Sequence, residues 1–182
     1  MIWLKKRTGT ARNWPVYHKG LDGGSSPEEK VVWLNLTNTQ SDSVESWNNT
    51  APTSTHFTIH GTVNTPNVNK DGEDYIAMLF ASVDGISKVG SYTGTGNAMT
   101  VTVGFQPRML IWKNVTEGDN WRILETTRGW GSGNDKPMRL SSNLAQYTED
   151  VGAPTSTGFT WVADTDTAFN KAGCDFIYYA HA

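Results

Sequence analysis

The sequence is poor in cysteine and in charge, and it contains no long hydrophobic run. Cys174 is the one cysteine among 182 residues, so no disulfide can form within the chain. No apolar stretch approaches the roughly 20 residues that a membrane-spanning helix needs. The apolar segment 1–4 is followed by the basic segment 5–7, an order that predicts no secretory signal peptide. We therefore expect a fold held by its core and its strands, with no insertion into a membrane.

The low charge also limits the classes of partner. Charged residues make up 18% of the sequence, and the net charge is -3. Proteins that bind nucleic acid usually present a basic face, so we expect no nucleic-acid partner. Threonine, serine, asparagine and glycine take the positions that lysine and glutamate usually fill. Threonine favours exposed strands, and asparagine and glycine favour turns, so the composition favours β structure.

Short strand patterns separated by turn residues run along the chain. Residues 30–36 alternate between apolar and polar side chains, and residues 75–81 form a continuous apolar run of strand length. We predict that residues 75–81 are a buried central strand. Strand patterns at 88–92 and 99–103 flank a glycine-rich turn at 93–97 and predict a hairpin. Because we find no convincing amphipathic helix, these patterns predict an all-β fold, an antiparallel β-sandwich.

Two segments of the first half of the chain reappear in the second half in the same order. Residues 51–58 and 153–160 share the pattern Ala-Pro-Thr-Ser-Thr. Residues 69–76 and 170–177 share the pattern Asn-Lys followed by Gly, Asp and an aromatic residue. Collinear repeats of this kind predict two tandem β units.

We place the two units at the two ends of the chain. The first unit spans residues 1–82, the second spans residues 109–182, and residues 83–108 form a joining β-hairpin that packs with both. Each unit is small for a core of its own, since domains of this size bury little of their surface. The size favours one closely packed body, with two separate small sandwiches as the alternative.

Side chains present in both units are expected to serve the fold. Two positions carry a large aromatic residue in each unit, and a third carries an aspartate at a strand entrance. We expect the aromatic residues to lie in the core and the aspartates to bond backbone amides. These shared residues are Trp14 and Trp121, Phe57 and Phe159, and Asp74 and Asp175.

Aromatic residues present in one unit only are candidates for binding. Trp47 lies in a polar segment, Trp130 lies in a glycine-rich segment, and Tyr92 lies in the joining segment. An exposed aromatic face can stack on a sugar ring or anchor a protein interface. We therefore predict carbohydrate or partner binding at Trp47, Trp130 and Tyr92, with burial in the core or between subunits as the alternative.

The sequence offers little support for a metal site, a cofactor or catalysis. The acidic segment 71–74 has the oxygen ligands that calcium prefers, but the second unit keeps only one of its three acids. His56 and His60 have no further zinc ligands at a suitable spacing. No nucleophile elbow or phosphate loop is present. We expect a protein that is not an enzyme and that needs neither a metal nor a cofactor.

Motifs along nearly the whole chain carry a family resemblance. They are Arg-Asn-Trp-Pro-Val-Tyr-His-Lys-Gly-Leu at 12–21, Trp-Asn-Asn-Thr-Ala-Pro-Thr-Ser at 47–54, Tyr-Ile-Ala-Met-Leu-Phe-Ala at 75–81, Gly-Ser-Tyr-Thr-Gly-Thr-Gly at 90–96 and Gly-Phe-Gln-Pro at 104–107. Together they resemble a repeated β domain of tail-fibre and related virion structural proteins of marine bacteriophages. The resemblance implies a lectin-like or jelly-roll-like β-sandwich and a location on the virus particle.

The resemblance leads to an expectation about function. We expect a non-enzymatic structural protein of a tail fibre or other appendage that contacts the host surface. Its partners would be other virion proteins and a host-surface glycan, and it would form a homo-oligomer, with a trimer favoured. The alternatives are a capsid decoration or cement protein, and a secreted lectin or polysaccharide-degrading enzyme.

Overall fold

The computed structural model describes residues 1–61, 64–65, 67–164 and 166–182. Within these residues the chain is almost entirely β structure, which confirms the predicted fold class. Helical structure in the described residues amounts to the single turn α1 at Val44–Trp47 and three short 3-10 turns. The strands are β1 Ile2–Lys6, β2 Pro15–Tyr17, β3 Lys30–Trp33, β4 Ser41–Asp42, β5 Asn64–Thr65, β6 Asn69–Lys70, β7 Tyr75–Leu79, β8 Ser87–Thr93, β9 Met99–Thr102, β10 Met109–Asn114, β11 Arg122–Glu125, β12 Met138–Arg139, β13 Pro154–Thr155, β14 Gly158–Trp161 and β15 Asp175–His181.

The described strands form three sheets and one short ribbon. The first sheet has the order β4-β3-β2-β1-β7, and the second has the order β12-β11-β10-β15-β8. The third sheet is β13-β14-β9, and the ribbon pairs β5 with β6. Neighbouring strands run antiparallel in all of them.

The first and second sheets pack face to face and form a β-sandwich. Because side chains alternate between the two faces of a strand, Met1 and Trp3 lie in the core between these sheets, while Ile2 and Leu4 lie on the opposite face of the first sheet. The core therefore results from the alternation of side chains between the two faces of each strand. Its other buried members include Val16, Val32, Val89, Ile111, Trp121 and Ile177.

The second sheet is covered on both faces. Leu110 and Trp112 of β10 lie in the core beneath the third sheet, whereas Ile111 between them lies in the core beneath the first sheet. Large aromatic side chains fill the core beneath the third sheet, and each can bury about 150–250 Å². This core is therefore expected to contribute much of the stability of the fold. Its aromatic members include Trp130, Phe159, Trp161, Phe169, Phe176 and Tyr178.

The outer face of the first sheet has a much smaller core. Trp47 at the end of α1 packs edge-on to Tyr17 of β2, with the ring centres 5.9 Å apart. Phe57 and Ile59 are only partly buried against this core. The first sheet is therefore less well covered on its outer side than the second sheet is.

The first and second sheets share one pairing order. Four strands of the first sheet have the order β7-β1-β2-β3, and four strands of the second sheet have the order β15-β10-β11-β12. The two orders agree if β1, β2, β3 and β7 are matched with β10, β11, β12 and β15. A tandem duplication would produce this agreement. The division into two units stays a prediction.

The strand at 75–81 corrects the sequence analysis. It was expected to be central and buried, but β7 lies at the edge of the first sheet, and its Ile76 and Leu79 side chains are exposed. Its apolar composition does match that of β15, which lies between β10 and β8 in the second sheet. An apolar run shows that a strand can be buried, but its neighbours in the sheet decide whether it is.

The joining segment also differs from the prediction. Its two strands are present as β8 and β9, but they do not pair with each other as a hairpin. β8 pairs with β15 of the second sheet, and β9 pairs with β14 of the third sheet. The segment therefore ties two sheets together, and we call residues 87–105 the β8–β9 arm.

Candidate functional site

The structure buries the aromatic residues that were predicted to bind sugar or a partner. Trp47 is 1% exposed and Trp130 is 4% exposed, so neither offers a ring face to a ligand. The Tyr92 ring is half-buried and stacks on Phe176, and its hydroxyl donates to the backbone carbonyl of Phe169 at 2.6 Å. This corrects the expected exposure, because distant strands cover rings whose neighbours in sequence are polar.

The residues shared between the predicted units lie where a structural role would place them, with one correction. Trp121 and Phe159 are fully buried, and Trp14 and Phe57 are partly buried against the same or an adjacent core. The aspartate carboxylates were expected to bond backbone amides. Instead, Asp175 accepts a hydrogen bond from the hydroxyl of Thr93 at 2.7 Å. Asp74 is exposed.

A groove of about 480 Å³ lies on the outer side of the first sheet, beside the end of β7. We call its apolar lining residues the apolar wall and the short segment 53–56 the polar wall. A groove of this size with apolar and polar walls can take an amphiphilic ligand or a segment of polypeptide. The apolar lining residues are Met1, Ile2, Tyr17, Phe57, Leu79, Phe80 and Ala81, and the other lining residues are Pro52, Thr53, Ser54, Thr55 and His56.

The polar wall is a turn held by its own hydrogen bonds. The amide of Thr53 donates to the carbonyl of His56 at 2.8 Å, and the Thr53 hydroxyl accepts from the amides of Thr55 and His56. Nδ1 of His56 lies 3.0 Å and 3.1 Å from the hydroxyls of Thr53 and Thr55. Such threonine turns need no distant support. The turn therefore fixes a small cluster of hydroxyl groups at the rim of the groove.

The apolar wall ends at an open edge of the first sheet. Phe80 and Met1 exchange hydrogen bonds at 2.9 Å, so the backbone of Phe80 faces β1. Because the direction alternates along an antiparallel strand, Ala77 and Leu79 direct their amide and carbonyl groups away from β1. Among the described residues, no strand pairs with that side of β7. Exposed strand edges are templates for pairing with another chain.

The side chains at this edge are apolar and exposed. Leu79 is 65% exposed, and Ile76, Val83 and Ile86 on or near the same strand are also exposed. Ile76 and Leu79 are three positions apart and therefore lie on opposite faces of the strand, so the apolar side chains are exposed on both faces of this edge. The groove and the open edge share Leu79, and we call them together the β7 docking surface.

The backbone nitrogen of Met1 also lies at the groove, where it donates to the carbonyl of Phe80 at 2.9 Å.

Buried ionisable groups elsewhere are bound within the fold. Lys113 donates to the carbonyls of Asp119 and Thr37 at 2.6 Å and 3.3 Å, and burial lowers the pKa of its amine to about 8. Arg122 donates to the Asp119 carboxylate at 2.6 Å and to the Tyr147 hydroxyl at 2.9 Å. These contacts connect the loops at Thr37, Asp119 and Tyr147 to β10 and β11.

A second cleft of about 420 Å³ lies between the first and second sheets, beside Trp3 and Trp14. Its one polar residue, Asn35, accepts from the amide of Trp14 and donates to the side chain of Asn13, each at 2.9 Å. The Lys5 amine lies 4.7 Å from the centre of the Trp14 ring. Asn35 is therefore bound to the protein itself, whereas Nε1 of Trp3 is buried without a hydrogen-bond partner among the described residues. The β7 docking surface is the better candidate site because it combines a groove with an open strand edge.

In the described part of the chain, no three His, Cys, Asp or Glu side chains are arranged to hold a metal ion. Among the described helices, none has the length and apolar character needed to cross a membrane.

Sequence comparison identifies the family but no characterised relative. No curated protein and no solved structure matches the chain. A family model, described as a domain of unknown function (DUF7483), matches residues 1–182. The chain therefore belongs to the DUF7483 family.

Proposed function

We propose that this chain is a non-enzymatic structural protein that docks to partner molecules through the β7 docking surface. The observation that carries the proposal is the open edge of β7, which lies beside an apolar groove and carries exposed apolar side chains. Loops and edges on a rigid β body commonly provide binding surfaces. The stacked sheets supply the rigid body.

The proposed setting is a phage virion, in a tail fibre or another appendage that contacts the host surface. The sequence motifs that resemble virion β domains support this setting. Other virion proteins would be the main partners, and the chain would form a homo-oligomer, with a trimer favoured. Several copies on one appendage would compensate for weak single sites. A capsid decoration protein is the alternative that uses the same docking surface.

The location is tested by immunogold labelling of intact phage particles with an antibody raised against this chain. We expect gold at the tail or its fibres. Gold spread evenly over the capsid would instead support a decoration protein. If the protein is found free in the lysate and not on particles, the virion proposal fails and a secreted lectin or enzyme replaces it.

Glycan binding is a second candidate function, and the hydroxyl wall of the groove favours it. A pyranose ring has an apolar face and hydroxyl edges, and the lining of the groove combines apolar side chains with the hydroxyl-bearing residues Thr53, Ser54 and Thr55. Variants of Trp47 and Trp130 cannot test this function, because both side chains lie in the core. The test has to use the groove itself.

The double variant Ser54→Ala with Thr55→Val is expected to weaken binding to a glycan by about tenfold or more, since a lost hydrogen bond to a sugar costs about 1.4 kcal/mol. The measurement is binding to an array of bacterial surface polysaccharides. The matched control is Ser156→Ala with Thr157→Val, which changes the corresponding exposed turn of the second unit. If both variants bind as the unchanged chain does, the groove is not the glycan site.

A further inference from the structure

We propose that the β7 docking surface accepts one extended strand of a partner polypeptide, paired antiparallel with β7 and apolar at alternate positions. The inference deepens the proposed function and rests on it for the existence of a partner. It names what the partner contributes to the site. Addition of a strand to an exposed sheet edge is a common way to bind a polypeptide.

The second sheet contains an example of such a partner strand, which is β8. There β15 pairs with β10 on one side and with β8 of the β8–β9 arm on the other. Gly90 and Lys88 of β8 lie opposite Tyr178 and Ala180 of β15. The last strand of the second sheet is therefore covered on both sides, whereas β7, its counterpart by pairing order, is covered by β1 alone within the described chain.

Matching hydrogen bonds at the start of β7 and β15 support this comparison. The amide of Asp74 donates to the Thr8 hydroxyl, and the amide of Asp175 donates to the Thr116 hydroxyl, each at 2.8 Å. The two aspartates therefore occupy equivalent places in the two sheets. Counting along the strands from them, Ala77 and Leu79 correspond to Tyr178 and Ala180.

A second pair of bonds extends the match to the loops before these strands. The side-chain amide of Asn69 donates to the carbonyl of His60, and that of Asn170 donates to the carbonyl of Val162, both at 2.9 Å. Asn170 also binds two backbone groups in the turn of the β8–β9 arm. Asn170 therefore holds the β8–β9 arm in place, and the predicted first unit has Asn69 at the matching position.

The side chains at the open edge determine the chemistry of the partner strand. A residue opposite Leu79 would share its face of the sheet, which is the face of Ile2 and the groove. In the second sheet, the large ring of Tyr178 lies against Gly90 and leaves no room for a side chain there. A partner residue opposite Ala77 meets only a small side chain. The partner strand can therefore carry large apolar residues at both positions.

The proposal is limited to one strand. In the second unit β14 also pairs with β9, and a Cβ on Gly158 would lie 2.0 Å from the carbonyl oxygen of Val101. The first unit has His56 in the corresponding place, because the repeated Thr-Ser-Thr turn is followed by histidine there and by glycine in the second unit. A partner equivalent of β9 therefore cannot pack as closely.

A nine-residue peptide tests the proposal. It has the sequence of residues 86–94 with Lys88→Leu and Gly90→Val, the two positions that would face Leu79 and Ala77. It is titrated into the ¹⁵N-labelled full chain and followed by NMR. We expect saturable shifts of the Ala77 and Leu79 amide signals, and a control peptide with Gly90→Pro is expected to bind at least about tenfold more weakly because it lacks a pairing amide.

Variants of the chain locate the contact. Leu79→Pro removes an amide that faces away from β1, so it should keep the first sheet intact and weaken peptide binding by about tenfold or more. Leu79→Lys keeps that amide and removes the apolar side chain. It provides a second test of the contact if the proline variant does not fold. The matched control is Leu144→Lys, because Leu144 is 63% exposed and lies outside the groove.

Three results would overturn the proposal. One is the absence of saturable shifts at Ala77 and Leu79, and another is peptide binding that Leu79→Pro leaves unchanged. The third is self-association of the chain alone that Leu79→Pro abolishes, which would make a second copy the occupant. Particle labelling tests the proposed function separately, so the partner strand and the virion setting can each fail without the other.

Discussion

Replacing Gly158 with alanine is expected to lower the free energy of unfolding by about 3 kcal/mol, near the upper end for forcing an extra group into a packed interior. A Cβ at this position would lie 2.0 Å from the carbonyl oxygen of Val101, which belongs to the backbone of β9 and cannot swing aside. The substitution therefore pushes β14 away from β9 and disturbs the packing of the third sheet on the aromatic core.

Urea denaturation measures this effect, and Gly61→Ala is the control. No described atom lies within 4 Å of a Cβ built on Gly61, so its substitution should change the free energy of unfolding by no more than about 0.5 kcal/mol. Equal stability of the two variants would contradict the packing described for β9 and β14. A large loss for Gly158→Ala alone would support it.

Acid is expected to destabilise the fold through His18, by about 1.4 kcal/mol for each pH unit between about pH 6 and pH 4. This side chain is fully buried, with Nε2 3.0 Å from the carbonyl of Tyr178 and Nδ1 accepting from the amide of Gly20 at 3.0 Å. The two contacts fit a neutral ring with its proton on Nε2. Burial is the main cause that lowers the pKa of His18 to about 3.

The sign follows from the lowered pKa. In the unfolded chain the histidine takes up a proton as the pH falls below about 6.5, while in the folded chain it stays neutral until the pH nears 3. The unfolded state therefore binds more protons over this range, and stability is lost as the pH falls.

Thermal unfolding between pH 7 and pH 4 tests this account by comparing the unchanged chain with two variants. His18→Gln should be less stable at pH 7 but should lose less stability on acidification. His56→Gln is the matched control, because it makes the same replacement at an exposed histidine. If His18→Gln keeps the full pH dependence, the buried histidine is not its source.

The fold class could be predicted from the sequence because it follows from local patterns. The apolar runs of β7 and β15 are recognisable strands whatever they pack against. The alternating segment 30–36 also contains a strand, but β3 ends at Trp33, before most of the alternation. Repetition identified Trp121 and Phe159 as core residues, and both are fully buried. These inferences need no knowledge of which strands meet.

The partners of each strand could not be predicted, because they depend on distant parts of the chain. The glycine-rich turn at 93–97 suits a hairpin, yet β8 and β9 join different sheets. The same limit applies to the binding residues. Trp130 has almost no apolar neighbours in sequence, but its ring lies 6.3 Å from that of Phe159 on β14.

The candidate site escaped sequence analysis for a related reason. The sequence identified Thr-Ser-Thr at 53–55 as part of a repeat and residues 75–81 as a strand, but nothing in the sequence places them side by side. The one available signal was the repeat itself. β7 and β15 hold matching places in their sheets, whereas the β8–β9 arm pairs with β15 and not with β7, so the described chain has one arm for two such strands.

The most direct test of the account is amide hydrogen exchange across residues 75–81, measured on the chain alone and on the chain within intact particles. If β7 is the docking edge, exchange over this segment should slow at least about tenfold in the particle, since paired amides exchange only when the strand opens. The exposed segment around Leu144 should exchange at the same rate in both. Unchanged exchange at 75–81 in particles that contain the protein would contradict the assignment of β7 as the docking edge.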